Sequence, residues 1–339
     1  MPPRSRRKRR YRRLRRIARL AALLAFLGAV YIGAAAVGLH RTASELLAVG
    51  TLSEALAQAP RPTDPGVPGY RGDPETALGL PFETLAIQTA LGPAEAWLVP
   101  EPFRPGAPQP HLAAVYVHGI AGAREDGYRH LPLLHAAGLP TLLISYRNDD
   151  NAPASPEGRY GFGLTEWPDL EAAILALRDR GYPEVMVVAD AMGAAILGQF
   201  LARSPEASRV SAIALDSPAL EFRATLRNLA SLKGLPLPRT VTRLSLVMLS
   251  LTQPADLRAA SGTGRFAGFG GPLFVAHGAG DRIVPLALSH RLLDLRAASD
   301  NGAWTVGHLT GADHLASYAE DPEAYTRDFT RFLEMADGP

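Results

Sequence analysis

The feature that most constrains the fold is a series of short apolar segments that alternate with helical ones. The apolar segments show no polar alternation and lie at 112–117, 140–146, 184–189, 210–215, 272–277 and 303–309. Stretches with helical character separate or follow them at 128–137, 164–180, 192–203, 286–298 and 322–335. Uniformly apolar strands suit a parallel sheet that is buried on both faces by crossover helices. The alternation therefore predicts an α/β fold with a mostly parallel, doubly wound sheet.

Two other regions modify this pattern. Residues 82–99 divide at Leu91-Gly92-Pro93 into two short strand-like runs. Residues 221–268 contain helical segments and no convincing strand. An insertion at the carboxyl end of a strand in a doubly wound sheet lies over the ligand crevice. We therefore expect 221–268 to form a helical cap, with a plain surface excursion as the alternative.

The first 19 residues are strongly basic and precede an apolar run. They hold eleven of the chain's 35 basic residues and no acidic one, so the remainder has 24 basic against 33 acidic residues, a net charge of about −9. Residues 17–39 are apolar apart from Arg19, and at about 1.5 Å per residue they can cross about 30 Å of hydrocarbon. The basic arm is then the cytoplasmic flank of a membrane span. A nucleic-acid partner is not expected, since no aromatic platform or binding motif accompanies the basic run.

An uncleaved anchor is favoured over a signal peptide, which stays the alternative because small residues occupy 33–36. The apolar core of a signal peptide usually has about 7 to 15 residues, and this run is longer. The positive-inside rule places the chain after about residue 40 outside the cytoplasm. The expected localisation is the cell membrane, single-pass with a cytoplasmic N-terminus. The absence of cysteine excludes disulfides and thiol chemistry and is compatible with export.

The remaining chain divides into a connecting segment and one folded domain. Residues 42–59 have helical spacing and predict a stalk, and 60–74 carry five prolines and three glycines, which predict a linker. The expected organisation is a basic arm at 1–16, an anchor at 17–39, a stalk and linker at 40–78, and a domain at 79–339.

The first chemical motif is His118-Gly119-Ile120-Ala121-Gly122, directly after a predicted strand. A turn of this kind can point a backbone N–H, here that of Ile120, at a developing oxyanion.

The second motif is Ala189-Asp190-Ala191-Met192-Gly193, at a predicted strand-to-helix junction. The G-x-S-x-G elbow places a serine at the centre of such a turn, with small residues two positions to either side. Aligning the motif by Met192 and Gly193 puts Ala189 at the first small position and Ala191 at the serine position. An alanine cannot attack a substrate, while the N–H of Met192 remains a candidate oxyanion donor.

Two later loops carry an acid and a histidine. Asp281 follows the segment at 272–277, and His314 follows the segment at 303–309. The order nucleophile, acid, histidine is that of α/β-hydrolases. Asp190 as the nucleophile, as in the dehalogenase branch of that fold, is an alternative, but it would place Met192 where a small residue is needed. Ser217 is a possible substitute hydroxyl, although it has no elbow.

These motifs resemble the α/β-hydrolase superfamily from about residue 80 onward. The chain is most similar to membrane-anchored or secreted bacterial serine α/β-hydrolases of the esterase and peptidase kind, which share the stretches at 145–173 and 215–226. The resemblance implies a serine hydrolase with the elbow G-W-S-M-G, whereas this chain has A-D-A-M-G. Ala189 and Asp190 depart from the family elbow as well as Ala191, so we interpret the change as natural rather than as a single trapping mutation.

Three functions remain open at this point. The chain can be a pseudo-hydrolase that binds a small apolar ester-like or lipid ligand, or a feeble hydrolase in which His314 activates water. The third function is proton abstraction from a carbon atom by His314, with Asp281 orienting the imidazole. His118, Gly119, Tyr146 and Ser217 are candidates to line the pocket. No cofactor is implied and no metal site is expected, because His277, His308 and His314 lie on separate predicted segments.

Overall fold

The computed structural model describes residues 4–103 and 110–336. The ends of the predicted basic arm and of the predicted domain, at 1–3 and 337–339, lie outside the described residues. Eight strands form one sheet in the described part of the chain. They are β1 (Glu83–Thr89), β2 (Gly92–Val99), β3 (Leu112–Val117), β4 (Thr141–Ile144), β5 (Glu184–Asp190), β6 (Val210–Asp216), β7 (Leu273–Gly278) and β8 (Thr305–Thr310).

Helices connect and flank these strands. They are α1 (Arg4–Leu46), α2 (Thr51–Ala57), α3 (Pro74–Leu78), α4 (Leu131–Ala136), α5 (Trp167–Asp179), α6 (Met192–Arg203), α7 (Phe222–Leu232), α8 (Pro238–Thr252), α9 (Thr263–Ala267), α10 (Ala287–Ala297), α11 (Ser317–Glu320) and α12 (Pro322–Ala336). Short 3₁₀ helices lie at Arg124–Arg129, Pro205–Arg209, Leu257–Ala259 and Asp300–Trp304.

The sheet has the strand order β1-β2-β4-β3-β5-β6-β7-β8. Strand β2 pairs antiparallel with β1 and β4, and β3 to β8 pair in parallel. The prediction of a mostly parallel, doubly wound sheet is therefore confirmed. The insertion between β6 and β7 consists of helices, including α7 and α8.

Each face of the sheet packs on its own layer of helices. Along β3, Ala113, Val115 and Val117 join a core cluster that includes α5, α6 and α10, whereas Ala114 and Tyr116 join a cluster that includes α4 and α12. Every residue of β3 is buried. This two-sided burial explains why the strand is apolar at successive positions.

The N-terminal helix is longer than the predicted anchor and continues to Leu46. Helix α1 holds the one candidate span in the described chain, with a mean hydropathy of 2.3 in its most apolar window. Leu39 and Ala43 in its later turns, and Leu47 directly after it, are buried, and α8 is the main neighbour of α1. Within the segment predicted as a stalk, Ala43 and Leu47 are thus buried against the domain, whereas Leu56 is 56% exposed.

Candidate active site

A largely apolar cavity of about 640 Å³ lies over the carboxyl ends of β3 and β5. Its floor is formed by Gly119, Ile120, Ala191 and Met192, and His314 reaches it from the loop after β8. The cap contributes α7 to its wall, and the segment at 43–62 contributes another wall. A volume of this size is typical of small-molecule sites. A smaller cavity, at the edge formed by β1 and β2, contains none of the predicted site residues.

Ala191 occupies the tip of a sharp turn between β5 and α6. Its φ is 44° and its ψ is −111°, a conformation that is strained for a residue with a Cβ. Its N–H donates to the carbonyl of Asp216, and its own carbonyl accepts from Ala219, so two hydrogen bonds hold the turn. A Cβ on Gly193 would lie 2.3 Å from the carbonyl oxygen of Val117. The small residue at 193 therefore permits the close approach of α6 to β3 that the elbow needs.

Replacing Ala191 with glycine should stabilise the protein slightly. The positive φ costs an alanine about 1 to 2 kcal/mol, and glycine removes that strain but loses more backbone entropy on folding. We expect the free energy of unfolding to rise by up to about 1 kcal/mol, measured by urea denaturation. An equal loss of stability would show that the backbone at 191 is unstrained.

Asp281 and His314 form a dyad beside the floor of the cavity. The distance from Nδ1 of His314 to Oδ2 of Asp281 is 2.7 Å. The other carboxylate oxygen, Oδ1, accepts the N–H groups of Ile283 and Val284, each at 2.8 Å. Burial raises the pKa of Asp281, but hydrogen bonds from His277 and His314 outweigh burial and hold that pKa well below its usual value. The carboxylate is thus charged and fixed, and it orients the imidazole with Nε2 as the remaining ring nitrogen.

The two expected oxyanion donors line the same cavity as the dyad. The N–H of Met192 is the first of α6, so no carbonyl four residues earlier lies within that helix. Ile120 follows Gly119, and a Cβ built on Gly119 would lie 3.0 Å from that of Ala191. The elbow and the turn after β3 are therefore adjacent. Two backbone donors near one point can stabilise a negative oxygen there.

Three of the four residues predicted to line the pocket, His118, Tyr146 and Ser217, do not line the cavity. His118 and Tyr146 are buried and stacked, with ring centroids 4.3 Å apart. The Tyr146 hydroxyl donates to the Gly119 carbonyl at 3.1 Å, and His118 bridges that carbonyl and Asp149. These side chains support the turn at 118–122, the expected oxyanion turn, from behind, and of the four candidates only Gly119 lines the cavity.

Ser217 is also absent from the cavity wall. Its hydroxyl is fully buried, donates to Asp216 at 3.1 Å and accepts the N–H of Leu315 at 3.1 Å. It therefore ties the end of β6 to the His314 loop. The structure provides no geometry in which Ser217 replaces the missing serine.

Asp190 points into the protein interior instead of the cavity. It accepts from the hydroxyl of Tyr116 and pairs with Arg129 at 2.6 Å, and Arg129 also contacts Asp216 at 3.3 Å. Burial raises the pKa of Asp190, but the Arg129 charge and hydrogen bonds outweigh burial and lower it to about 2. His130, Asp190 and Asp216 lie close enough together to consider a metal ion, but Arg129 already supplies the positive charge. The dehalogenase-like alternative for Asp190 is therefore wrong.

Sequence reasoning missed two contributors to this site. His277 lies in β7, and its Nε2 is 3.2 Å from Oδ2 of Asp281, so the acid is held by two imidazoles. Leu46, Leu52 and Leu56 wall the cavity although they were assigned to a stalk. The apolar spacing of that segment was the available signal, but spacing alone does not name the surface against which it packs.

The strand order, the elbow between β5 and α6, the acid after β7 and the histidine after β8 together define an α/β-hydrolase fold. This chain has that fold. It is similar to an esterase from Pyrococcus furiosus, with a TM-score of 0.58, 16% identity, and coverage of 81% of this chain and 96% of the other. It is also similar to a putative aryl esterase from Burkholderia cenocepacia, with a TM-score of 0.52, 17% identity, and coverage of 76% and 100%.

A third similar structure is an esterase from Exiguobacterium antarcticum, with a TM-score of 0.51, 16% identity, and coverage of 74% of this chain and 100% of the other. No protein-family model matches the sequence. No curated protein matches it either. At these identities the likeness establishes the fold.

Proposed function

We propose that this protein is a membrane-anchored pseudo-hydrolase that binds an apolar, ester-like or lipid ligand and performs no serine-type acyl transfer. One observation carries the proposal. Ala191, at the tip of the elbow, and His314 both line the cavity, and Ala191 is adjacent to Gly119 of the expected oxyanion turn. A methyl group at that point has no lone pair with which to form an acyl-enzyme.

The cavity wall supports an apolar ligand. Its aliphatic and aromatic lining comes from both the cap and the N-terminal segment, including Leu46, Leu56, Phe222 and Leu229. The polar lining includes His314 and the charged side chains of Arg61, Arg71, Asp126 and Arg282, and the N–H groups of Ile120 and Met192 are the proposed oxyanion donors. Such a combination suits a molecule with a long apolar part and one carbonyl or carboxylate oxygen.

A second candidate function uses the dyad directly, and the 2.7 Å bond between His314 and Asp281 favours it. Nε2 of His314 takes a proton from a bound water as the water oxygen attacks the ester carbonyl carbon. The Ile120 and Met192 N–H groups stabilise the oxyanion. When the intermediate collapses, the bond to the alcohol oxygen breaks and that oxygen takes the proton from His314, which releases a carboxylic acid and an alcohol.

Narrowing the cavity should abolish binding. Thr225 lines the cavity from α7 and is half-buried, so Thr225→Phe places a ring in the ligand space. We expect the affinity for a fluorescent long-chain fatty ester to fall at least about tenfold, or by about 1.4 kcal/mol, in the full chain reconstituted in nanodiscs. Thr330→Phe, at an exposed site on α12, is the matched control and should bind as before. Equal binding by both variants would contradict the proposal.

The two candidate functions separate on turnover. If the unmodified protein hydrolyses the ester and His314→Ala abolishes that hydrolysis without weakening binding, the water mechanism holds. If neither the unmodified protein nor His314→Ala hydrolyses the ester and both bind it equally, the result supports the pseudo-hydrolase function.

We further propose that the folded domain lies outside the cytoplasm. The motivating feature is the basic arm ahead of the apolar run in α1. A periplasmic-type reporter, such as alkaline phosphatase, fused after residue 339 should be active, and a cytoplasm-dependent fluorescent reporter at the same position should be dark. The opposite pattern would reverse the topology.

A further inference from the structure

We infer that the cap lies on the bilayer, with the exposed face of α8 in contact with anionic lipid, so that an amphiphilic ligand enters the cavity from the membrane. The inference rests on the proposed ligand-binding function and names the source of the ligand. Helix α8 is the element with most contacts to α1. The cap is therefore fixed to the helix that is expected to span the membrane.

The junction of α8 and α1 lies at the end of the apolar run. Thr252 hydrogen-bonds to His40 at 2.9 Å, and Gln253 donates to Ser44 at 3.3 Å. His40 and Ser44 lie just after the apolar segment at 17–39. The carboxyl end of α8 is thus held where α1 is expected to leave the hydrocarbon.

An apolar stripe on the cap is exposed in the described chain. Leu237, Leu244, Val247 and Leu251 are spaced three, four or seven residues apart, and all are exposed, with Leu251 at 82% and Leu237 at 62%. The opposite face of α8, including Val241, Leu246 and Leu249, is buried. Residues with this spacing share one side of a helix. Helix α1 also exposes apolar side chains, among them Leu27, Val30 and Tyr31.

The positive charge of the cap indicates that an anionic surface covers this stripe. Residues 222–255 hold five basic residues and no acidic one, whereas the chain beyond Arg19 and outside this segment has a net charge of about −14. The five are Arg223, Arg227, Lys233, Arg239 and Arg243, all exposed. Among the described residues, no salt bridge engages them. An apolar stripe with flanking cations is typical of elements that bind anionic membranes.

The cavity lies between this cap and the membrane-proximal end of α1. Leu46 and Leu47 follow the span within two turns, and α7 forms the facing wall. A ligand that leaves the bilayer at the foot of α1 therefore meets an apolar route to Ala191. The ligand class that fits this route is a membrane-borne amphiphile with an acyl chain.

Site-directed spin labelling of the full chain tests the inference. The sequence has no cysteine, so Leu244→Cys and Leu251→Cys each provide a unique label in proteoliposomes of phosphatidylcholine and phosphatidylglycerol. Trp304→Cys is the control, because Trp304 is exposed and directly precedes β8, at the edge of the sheet opposite the cavity. We expect the labels on α8 to be accessible to oxygen and shielded from a water-soluble nickel chelate, and the label at 304 to show the reverse.

Three results would overturn the inference. The first is nickel accessibility at 244 and 251 equal to that at 304. The second is shielding from both reagents with spin–spin broadening between labels, which would assign the face to a second copy of the chain. The third is an identical depth of the α8 labels in membranes of phosphatidylcholine alone, because the basic residues would then not contribute to the membrane contact. Loss of ligand binding in Thr225→Phe is measured separately, so failure of the proposed function is distinguishable from failure of the membrane contact.

Discussion

Introducing a serine at position 191 should convert the protein into an esterase. The acid, the histidine and the elbow are in place and the proposed oxyanion donors line the same cavity, so Ala191→Ser would complete a triad on an existing scaffold. Triad enzymes lose most of their rate when the serine is removed, and we expect kcat/KM toward short acyl esters to rise on the order of 10³-fold or more. The measurement is ester hydrolysis by the full-length variant in nanodiscs.

The control for this gain is the double variant Ala191→Ser with His314→Ala. It should return to the rate of the unmodified protein, because the serine then lacks its base. No gain in Ala191→Ser, in a protein that still binds the fluorescent ester, would mean that position 191 is not the nucleophile position.

Removing Arg129 should strongly destabilise the domain. Its guanidinium is fully buried and pairs with the carboxylates of Asp190 and Asp216, which directly precede Ala191 and Ser217. Removing one partner of a buried ion pair leaves an uncompensated charge and typically costs about 3 to 5 kcal/mol. We expect Arg129→Met to lower the free energy of unfolding by about that amount. Arg178→Met is the matched control, since the Arg178 to Asp179 pair is exposed, and its effect should stay below about 1 kcal/mol.

The same network predicts a pH dependence. The folded pKa of Asp190 is lowered from 3.8 to about 2, so its ionisation stabilises the folded state above the unfolded pKa. That contribution is lost as the pH falls from about 4 to about 2. Unfolding monitored across this window should show a loss of stability that is smaller in Asp190→Asn, where the Asp281 carboxylate, whose pKa is also lowered, still contributes. A loss of equal size in Asp190→Asn would assign the acid sensitivity to other carboxyls.

The fold and the dyad could be predicted from the sequence because each depends on local patterns. Uniformly apolar strands and the loops after them placed Asp281 and His314 at the same edge of the sheet, where the structure brings them together. The elbow at Ala191 follows from the small residues around it. These signals lie within a few residues of the groups that they position.

The remaining features depend on contacts between distant segments. Arg129 pairs with Asp190, 61 residues later, and with Asp216, 87 residues later, and no local motif marks such pairs. His118 and Tyr146 occur at strand ends like pocket residues, yet their rings turn inward to hold the oxyanion turn. The spacing of 42–59 revealed an apolar face but not that Leu46, Leu52 and Leu56 wall the cavity. Sequence patterns indicate which face is apolar, whereas the partner of that face follows from tertiary packing.

Fluorophosphonate labelling of the unmodified protein tests whether serine-type acyl transfer is absent. The reagent marks activated serines, and in this chain the elbow holds an alanine. We expect no label on the unmodified protein and one label on Ala191→Ser, mapped to position 191 by mass spectrometry of peptides. A label on the unmodified protein at another hydroxyl, such as Ser53, Thr225 or Ser217, would show that a different side chain is the nucleophile.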